Sequence, residues 1–259
     1  MTIRLPIESV DALGDDGRLL VLQSGIIASA QGLPAERITS GTLDAARLPE
    51  IAGLVATRYA EITSSQTWTK WADVRWIYVR AWGGGGGGLR GTGLGGGGGG
   101  AYVDGLFLAS AVDAPVTVAI GAGGVSGGTP TAGGSTLFGA LLTAPGGAAG
   151  QSAAGGFGGG VYLGSFATAP EQRAQGGYSA GGGGCMSSGF FRNGGGAIMG
   201  GGGGAASSTV GGEGGSSVHG GRGADQSNNA AVPGGGGWAA STISGHRNGA
   251  AGRIQIWGW

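Results

Sequence analysis

Strict alternation frames the longer, C-terminal part of this chain. From Val74 to Trp82 the order Val-Arg-Trp-Ile-Tyr-Val-Arg-Ala-Trp puts Ile77, Val79 and Ala81 on one side and Trp76, Tyr78 and Trp82 on the other. That period of two is a β-strand's. The C-terminus repeats the split over Arg253 to Trp259, with Ile254 and Ile256 on one face and Trp257 and Trp259 on the other. Two strands with the same aliphatic/aromatic division at the ends of one segment are expected to pair and close it. Ala101 to Ala109, a turn at Asp113-Ala114-Pro115, and Val116 to Ile120 read as a further strand pair, and Leu137 to Leu142 as another strand. Arg18 to Leu22 reads as a short strand after the turn Asp15-Asp16-Gly17. Glu50 to Ile62 instead spaces Ile51, Leu54, Val55, Tyr59 and Ile62 along one face of a helix, with Pro49 acceptable near its start. About thirteen residues is marginal for an isolated helix. It must pack, against equivalent helices of a trimer or against its own domain.

Between the strands, glycine takes over. All but six of the 68 glycines follow Trp82, many in runs: Gly83 to Gly88, Gly95 to Gly100, Gly181 to Gly184, Gly200 to Gly204 and Gly234 to Gly237. Glycine loses the most conformational freedom on folding. A folded segment this rich in it therefore needs a geometry that only glycine can enter. Extended, left-handed threefold helices of the polyglycine II kind, stacked side by side, provide one. A six-glycine run would span roughly 19 Å, with every N–H and C=O pointing outward to a neighbour. Seven Trp, five Tyr and six Phe argue against a solvated tail. The absence of a Gly-X-Y period, with only eight prolines, excludes collagen.

Two stretches carry a resemblance. Ile38 to Pro49, Ile-Thr-Ser-Gly-Thr-Leu-Asp-Ala-Ala-Arg-Leu-Pro, resembles segments common in bacteriophage tail fibres, where they build thin trimeric shafts. The span Trp68 to Trp259 resembles a glycine-rich domain at the ends of phage tail fibres and of some bacterial surface proteins. The matching residues are Thr67-Trp68-Thr69-Lys70, Val79-Arg80-Ala81-Trp82-Gly83, Gly95 to Tyr102, Pro115 to Gly124, Gly133 to Gly139 and Gly252-Arg253-Ile254. It is also similar to the adhesins at the tips of T-even-type long tail fibres, which stack polyglycine II helices and touch the host receptor with their loops. The attachment region of those adhesins is not evident, and a shaft-like N-terminus stands in its place. The resemblance implies a mainly β and irregular fold in two parts. Residues 1–62 would be a trimeric tail-attachment shaft with a short helix, and residues 63–259 a receptor-binding domain of β-strands and polyglycine II helices. It also implies a homotrimer in the virion tail, made in the host cytoplasm, whose partners are other tail proteins and a bacterial outer-surface protein or glycan.

Seven inserts interrupt the glycine: Leu89 to Leu94, Val125 to Thr131, Val161 to Tyr178, Cys185 to Asn193, Ala205 to Val210, Ala224 to Pro233 and Trp238 to Asn248. They concentrate Tyr162, Phe166, Tyr178, Phe190, Phe191, Arg192, Asn193, Trp238, His246 and Arg247. Rigid aromatics among adaptable polar residues are the chemistry of binding loops, so these ten are the candidate receptor contacts. The competing reading makes Trp238 and Phe191 core plugs at the edge of the glycine region.

The remaining chemistry changes little. Formal charge is zero, with eight Lys/Arg against nine Asp/Glu up to Trp82 and six against five beyond it. Neither part has the basic excess that attracts phosphate backbones or anionic lipid, so nucleic acid is not an expected partner. No apolar run approaches the length of a membrane span, and the N-terminus carries no secretory h-region. Gly91 to Gly96 matches a dinucleotide fingerprint only formally, since no helix is expected after it. His219, His246 and the single Cys185 have no partners at ligand or nucleophile spacing, and the carboxylates are scattered singly. A binding protein is expected, with no cofactor or metal and no enzymatic activity. Its competitors are a purely structural fibre component and an ice-binding protein. The long irregular inserts speak against the latter.

Overall fold

A computed structural model describes residues 10–13, 19–23, 26–27, 58–91, 94–152, 155–159, 179, 181–184, 186–187, 193–207, 212–240 and 247–259. The chain divides into two compact units, Met1–Pro49 and Glu50–Trp259. In the first, β1 (Val10–Leu13), β2 (Leu19–Gln23) and β3 (Ile26–Ile27) form an antiparallel sheet in that order. The shaft-like segment Ile38 to Pro49 lies outside the described residues.

The second unit is built on two antiparallel four-stranded sheets. One holds β4 (Arg58–Ile62), β6 (Trp76–Trp82), β8 (Tyr102–Leu108) and β15 (Arg253–Gly258) in the order β4-β15-β6-β8. The other holds β5 (Gln66–Trp68), β9 (Val116–Ala119), β10 (Thr136–Phe138) and β11 (Leu142–Ala144) in the order β11-β10-β9-β5. The expected closure is present: β15 pairs with β6 from Arg253↔Trp82 to Gly258↔Ile77. The alternation does what its period demands. Ile77, Val79, Ala81, Ile254 and Ile256 are fully buried and meet Trp68, Val116, Val118, Phe138 and Ala144 of the facing sheet in one core. Each buried Val or Ile is worth about 1.5–3 kcal/mol, so these strands anchor the unit.

Three expectations need correction. Arg58–Ile62 is an edge strand rather than the end of a helix, because Ala60 and Ile62 face the core while Tyr59 and Glu61 face outward, in register with β15. Residues 50–57 lie outside the described part. The stretches Ala101 to Ala109 and Val116 to Ile120 do not pair with each other: β8 pairs with β6, and β9 with β5 and β10. The chain changes sheet through a single turn of 3₁₀ helix, Ala109–Ala111. Lys70 Nζ fixes that corner by donating to the carbonyls of Ala109 (2.6 Å) and Val112 (2.8 Å). Leu137 to Leu142 is a tight hairpin rather than one strand, because Gly139, at φ +53°, turns Phe138 back toward Leu142.

Beyond the sheets the glycine segments run side by side, and most of their described amides donate to a neighbouring segment. In the segment 95–101 the donors turn through three neighbours with a period of three. Gly97 and Gly100 donate to Gly237 and Gly234, Gly98 and Ala101 to Ala148 and Pro145, and Gly99, with Tyr102 beyond it, to Gly182 and Ser179. Its carbonyls serve three others. Gly96 and Gly99 accept from Gly156 and Gly159, Gly97 and Gly100 from Gly204 and Gly201, and Gly98 and Ala101 from Gly86 and Gly83. All twelve bonds are 2.7–2.9 Å. Segments 83–89 and 201–205 are surrounded in the same way. A β-strand bonds to two neighbours in one plane; these segments bond to six around an axis. Trp82 joins the bundle to the sheets, its Nε1–H donating to the Met199 carbonyl at 2.7 Å and its ring packing on Tyr102.

This spacing leaves no room for a Cβ. On Gly98 it would overlap the Phe157 carbonyl, whereas Gly128, in a turn, has nothing within 4 Å. Gly98→Ala is therefore expected to cost at least about 2 kcal/mol by overpacking. Gly128→Ala should leave stability unchanged or raise it by about 0.4–1 kcal/mol through the unfolded state. Denaturant unfolding of the two variants checks this, and equal midpoints would contradict it.

Candidate functional site

The hydrogen-bonding directions fix where the chain reverses. It leaves the sheets along 83–88 from β6 and returns along 95–101 into β8, so Leu89 and Leu94 both stand at the far end of the bundle. Segments 201–205 and 234–238 run opposite to 95–101, and 156–159 runs with it. Followed through the chain, this brings Leu89 and Leu94, Val125 to Thr131, Met186-Ser187, Ala206-Ser207, Gln226 to Ala230, and Ala239-Ala240 with Arg247 to the same far end. The turn at Gln151-Ser152 also falls there. The described residues on either side of Val161 to Tyr178 do not. They sit at the sheet end, where Gly159 donates to Gly99 and Ser179 accepts from Tyr102.

Side chains tie the far-end turns together. Short strands β7 (Leu94–Gly95) and β12 (Met186–Ser187) pair antiparallel, and β13 (Ala206–Ser207) and β14 (Ala239–Ala240) pair parallel. Leu94, Ala206 and Ala239 bury one small cluster between them. Ser126, only 3% exposed, joins three turns. Its Oγ accepts from Gly88 N at 2.7 Å and donates to the Arg247 carbonyl at 2.6 Å, while its N–H donates to Asn248 Oδ1 at 2.9 Å. Arg247 reaches the next turn, with Nη1 donating to Asn229 Oδ1 at 2.6 Å and Nη2 to the Gln226 carbonyl at 2.9 Å.

Asp225 organises the 226–230 turn. Only 5% exposed, it accepts from the Ser227 and Asn228 amides at 2.8 and 2.7 Å, from Asn228 Nδ2, and from Arg222 Nη2. Burial pushes its carboxyl up; the hydrogen bonds from Asn228 and Ser227 and the Arg222 charge outweigh it and hold the group below the usual range.

Of the ten candidate contacts, three are described. Asn193 accepts from Glu213 N through Oδ1 at 2.9 Å and so links two turns. Arg247 spans turns as above, with its Nε buried and without a hydrogen-bond partner among the described residues. Trp238 is 5% exposed and packs on Ala205, Ala224 and Ala240, its Nε1 without a hydrogen-bond partner among the described residues. Tyr162, Phe166, Tyr178, Phe190, Phe191, Arg192 and His246 lie outside the described residues. Sequence reading missed Ser126, Asp225, Asn229 and Asn248. The Asp-x-x-Asn spacing of 225–228 is a turn signal that could have marked Asp225. Among the described residues no three His, Cys, Asp or Glu side chains come together as a metal site would require.

A family model described as "Glycine-rich domain" matches residues 61–257. The chain belongs to that family, and the match covers both sheets' core strands and the whole glycine bundle. No curated protein matches the chain.

Because Asp225 titrates lower folded than unfolded, its contribution is fully present above the unfolded value of about 3.9 and is lost as pH falls through the folded one. Asp225→Asn should therefore unfold more easily at pH 7 and show a shallower loss of stability on acidification below about pH 4. Thermal unfolding against pH checks this. Identical acid slopes in the two proteins would contradict it.

Proposed function

We propose that this chain is a receptor-binding protein of a bacteriophage tail fibre. Its glycine segments act as polyglycine II helices packed into a stiff bundle, and the turns at the far end contact a bacterial outer-surface protein or glycan. The observation that carries this reading is that the described residues within or flanking six of the seven inserts lie at the end of the bundle away from the sheets. A threefold bonding period around an axis is what left-handed extended helices of three residues per turn would give. Such a bundle costs much glycine entropy, and its return is a rigid platform on which irregular turns are held in fixed relation. The shaft-like stretch Ile38 to Pro49 supports attachment and trimerisation through residues 1–62, and three copies would raise avidity through effective concentration. Binding rather than catalysis is the chemistry such turns offer.

Adsorption of labelled full-length protein to a panel of bacterial strains tests this. Strain-selective binding is expected to vanish when 185–193 and 238–248 are scrambled and to survive scrambling of 161–178. Absence of binding by folded, assembled protein would favour a structural tip component, with recognition carried elsewhere.

A further inference from the structure

The outward face of the sheet β4-β15-β6-β8 holds chemistry that neither the bundle nor its turns use. Register places Tyr59, Trp257, Tyr78 and Leu106 in one rung across the four strands, and Glu61, Gln255, Arg80 and Asp104 in the next. The Trp257 ring lies 5.2 Å from Tyr59 and 5.7 Å from Tyr78, both tilted. Tyr59 is 51% and Leu106 54% exposed. Glu61 is occupied, accepting from Tyr59, Gln255 and Arg253.

Arg80 and Asp104 are only partly so. Opposite charges directly across two strands ordinarily pair, yet the Tyr78 hydroxyl stands between these two. Arg80 Nε donates to it at 3.1 Å, and it donates to Asp104 Oδ2 at 2.7 Å. The guanidinium is held further by lying 5.3 and 5.2 Å from the centroids of Tyr78 and Trp257. Among the described residues nothing accepts from Arg80 Nη1 or Nη2, and nothing donates to Asp104 Oδ1. A two-nitrogen donor fork thus stands beside an open carboxylate acceptor, both pre-positioned, in the same face as the exposed Tyr59 ring.

That pairing discriminates. An anion suited to the fork would meet the carboxylate, and a cation suited to the carboxylate would meet the guanidinium. Vicinal hydroxyls meet neither objection, since each can accept from one group and donate to the other, and the C–H faces of sugar rings suit an aromatic rung. The four strands span about 14 Å, the reach of a short oligosaccharide rather than a single sugar. We propose that this face binds a neutral oligosaccharide across the strands, with a vicinal diol on Arg80 and Asp104 and a further sugar ring against Tyr59 at the exposed end of the aromatic rung. The site is separate from the far-end turns and does not rest on the tail-fibre reading.

The test is an array of neutral and acidic oligosaccharides probed with the full-length chain, with binders then measured by calorimetry. Neutral oligosaccharides are expected to bind, and Arg80→Met and Asp104→Asn each to weaken them about 10-fold, with Tyr59→Ala weakening them as well. Scrambling 185–193 and 238–248 should leave this binding intact, so the site can fail or stand apart from the receptor reading. Unchanged circular dichroism and unfolding midpoint for Asp104→Asn tie any loss to the site. Failure of every neutral saccharide to bind, preference for acidic ones, or indifference to both substitutions overturns the proposal. So does sedimentation showing self-association that Leu106→Glu abolishes in a chain that binds no saccharide. That result would assign the face to a second copy.

Discussion

Backbone hydrogen bonding without side chains is the constraint on which this structure depends. A buried amide left unpaired costs as much as a lost hydrogen bond or more, and the glycine segments bury nearly all of theirs. Segment 95–101 meets the demand by bonding to six neighbours rather than two. This is possible only where no Cβ stands between adjacent backbones, as at Gly86 against Ala148 and at Gly202 against Gly215. The composition and the packing are one fact seen twice.

The two sheets supply what the bundle lacks. Glycine carries almost no apolar surface, so hydrophobic stabilisation is concentrated in the core around Ile77, Val79, Phe138, Ile254 and Ile256. The same strands then launch and receive the glycine segments: β6 runs into 83–88, 95–101 into β8, and 247–252 into β15. Pairing of β15 with β6 therefore closes the unit and aligns the segments nearest to it. Trp82 marks the boundary, with an indole that belongs to the sheet and a hydrogen bond that belongs to the bundle.

What was legible in the sequence follows the same division. Trp76–Trp82 and Arg253–Gly258 were readable because alternation over six or seven residues has one interpretation. Arg58–Ile62 was not, because Tyr59 and Ile62 also satisfy a helical spacing over so short a stretch and only pairing with β15 decides. The sheet change between β8 and β9 depends on partners far away in sequence. That the runs associate could be inferred from glycine itself, but which run meets which could not, since residues without side chains encode no register. The same limit applies to the far-end turns. Trp238 reads equally as a contact or as a plug until Ala205, Ala224 and Ala240 are seen around it, and Ser126 looks like any loop serine until three turns meet on it. Arg80 and Asp104 were invisible as a pair because only the register of β6 with β8 sets them together.

The most direct measurement of the account is residue-resolved amide hydrogen exchange in the glycine segments, above all Gly97 to Tyr102 and Gly201 to Ala205. If each amide is bonded to a neighbour on all sides of the axis, these glycines will exchange as slowly as Val79 and Ile256 in the sheet core and will open only with the whole unit. Exchange at the rate of an unstructured chain, with the sheets still protected, would contradict it. The glycine region would then be a solvated appendage of the sheets rather than a bundle built by them.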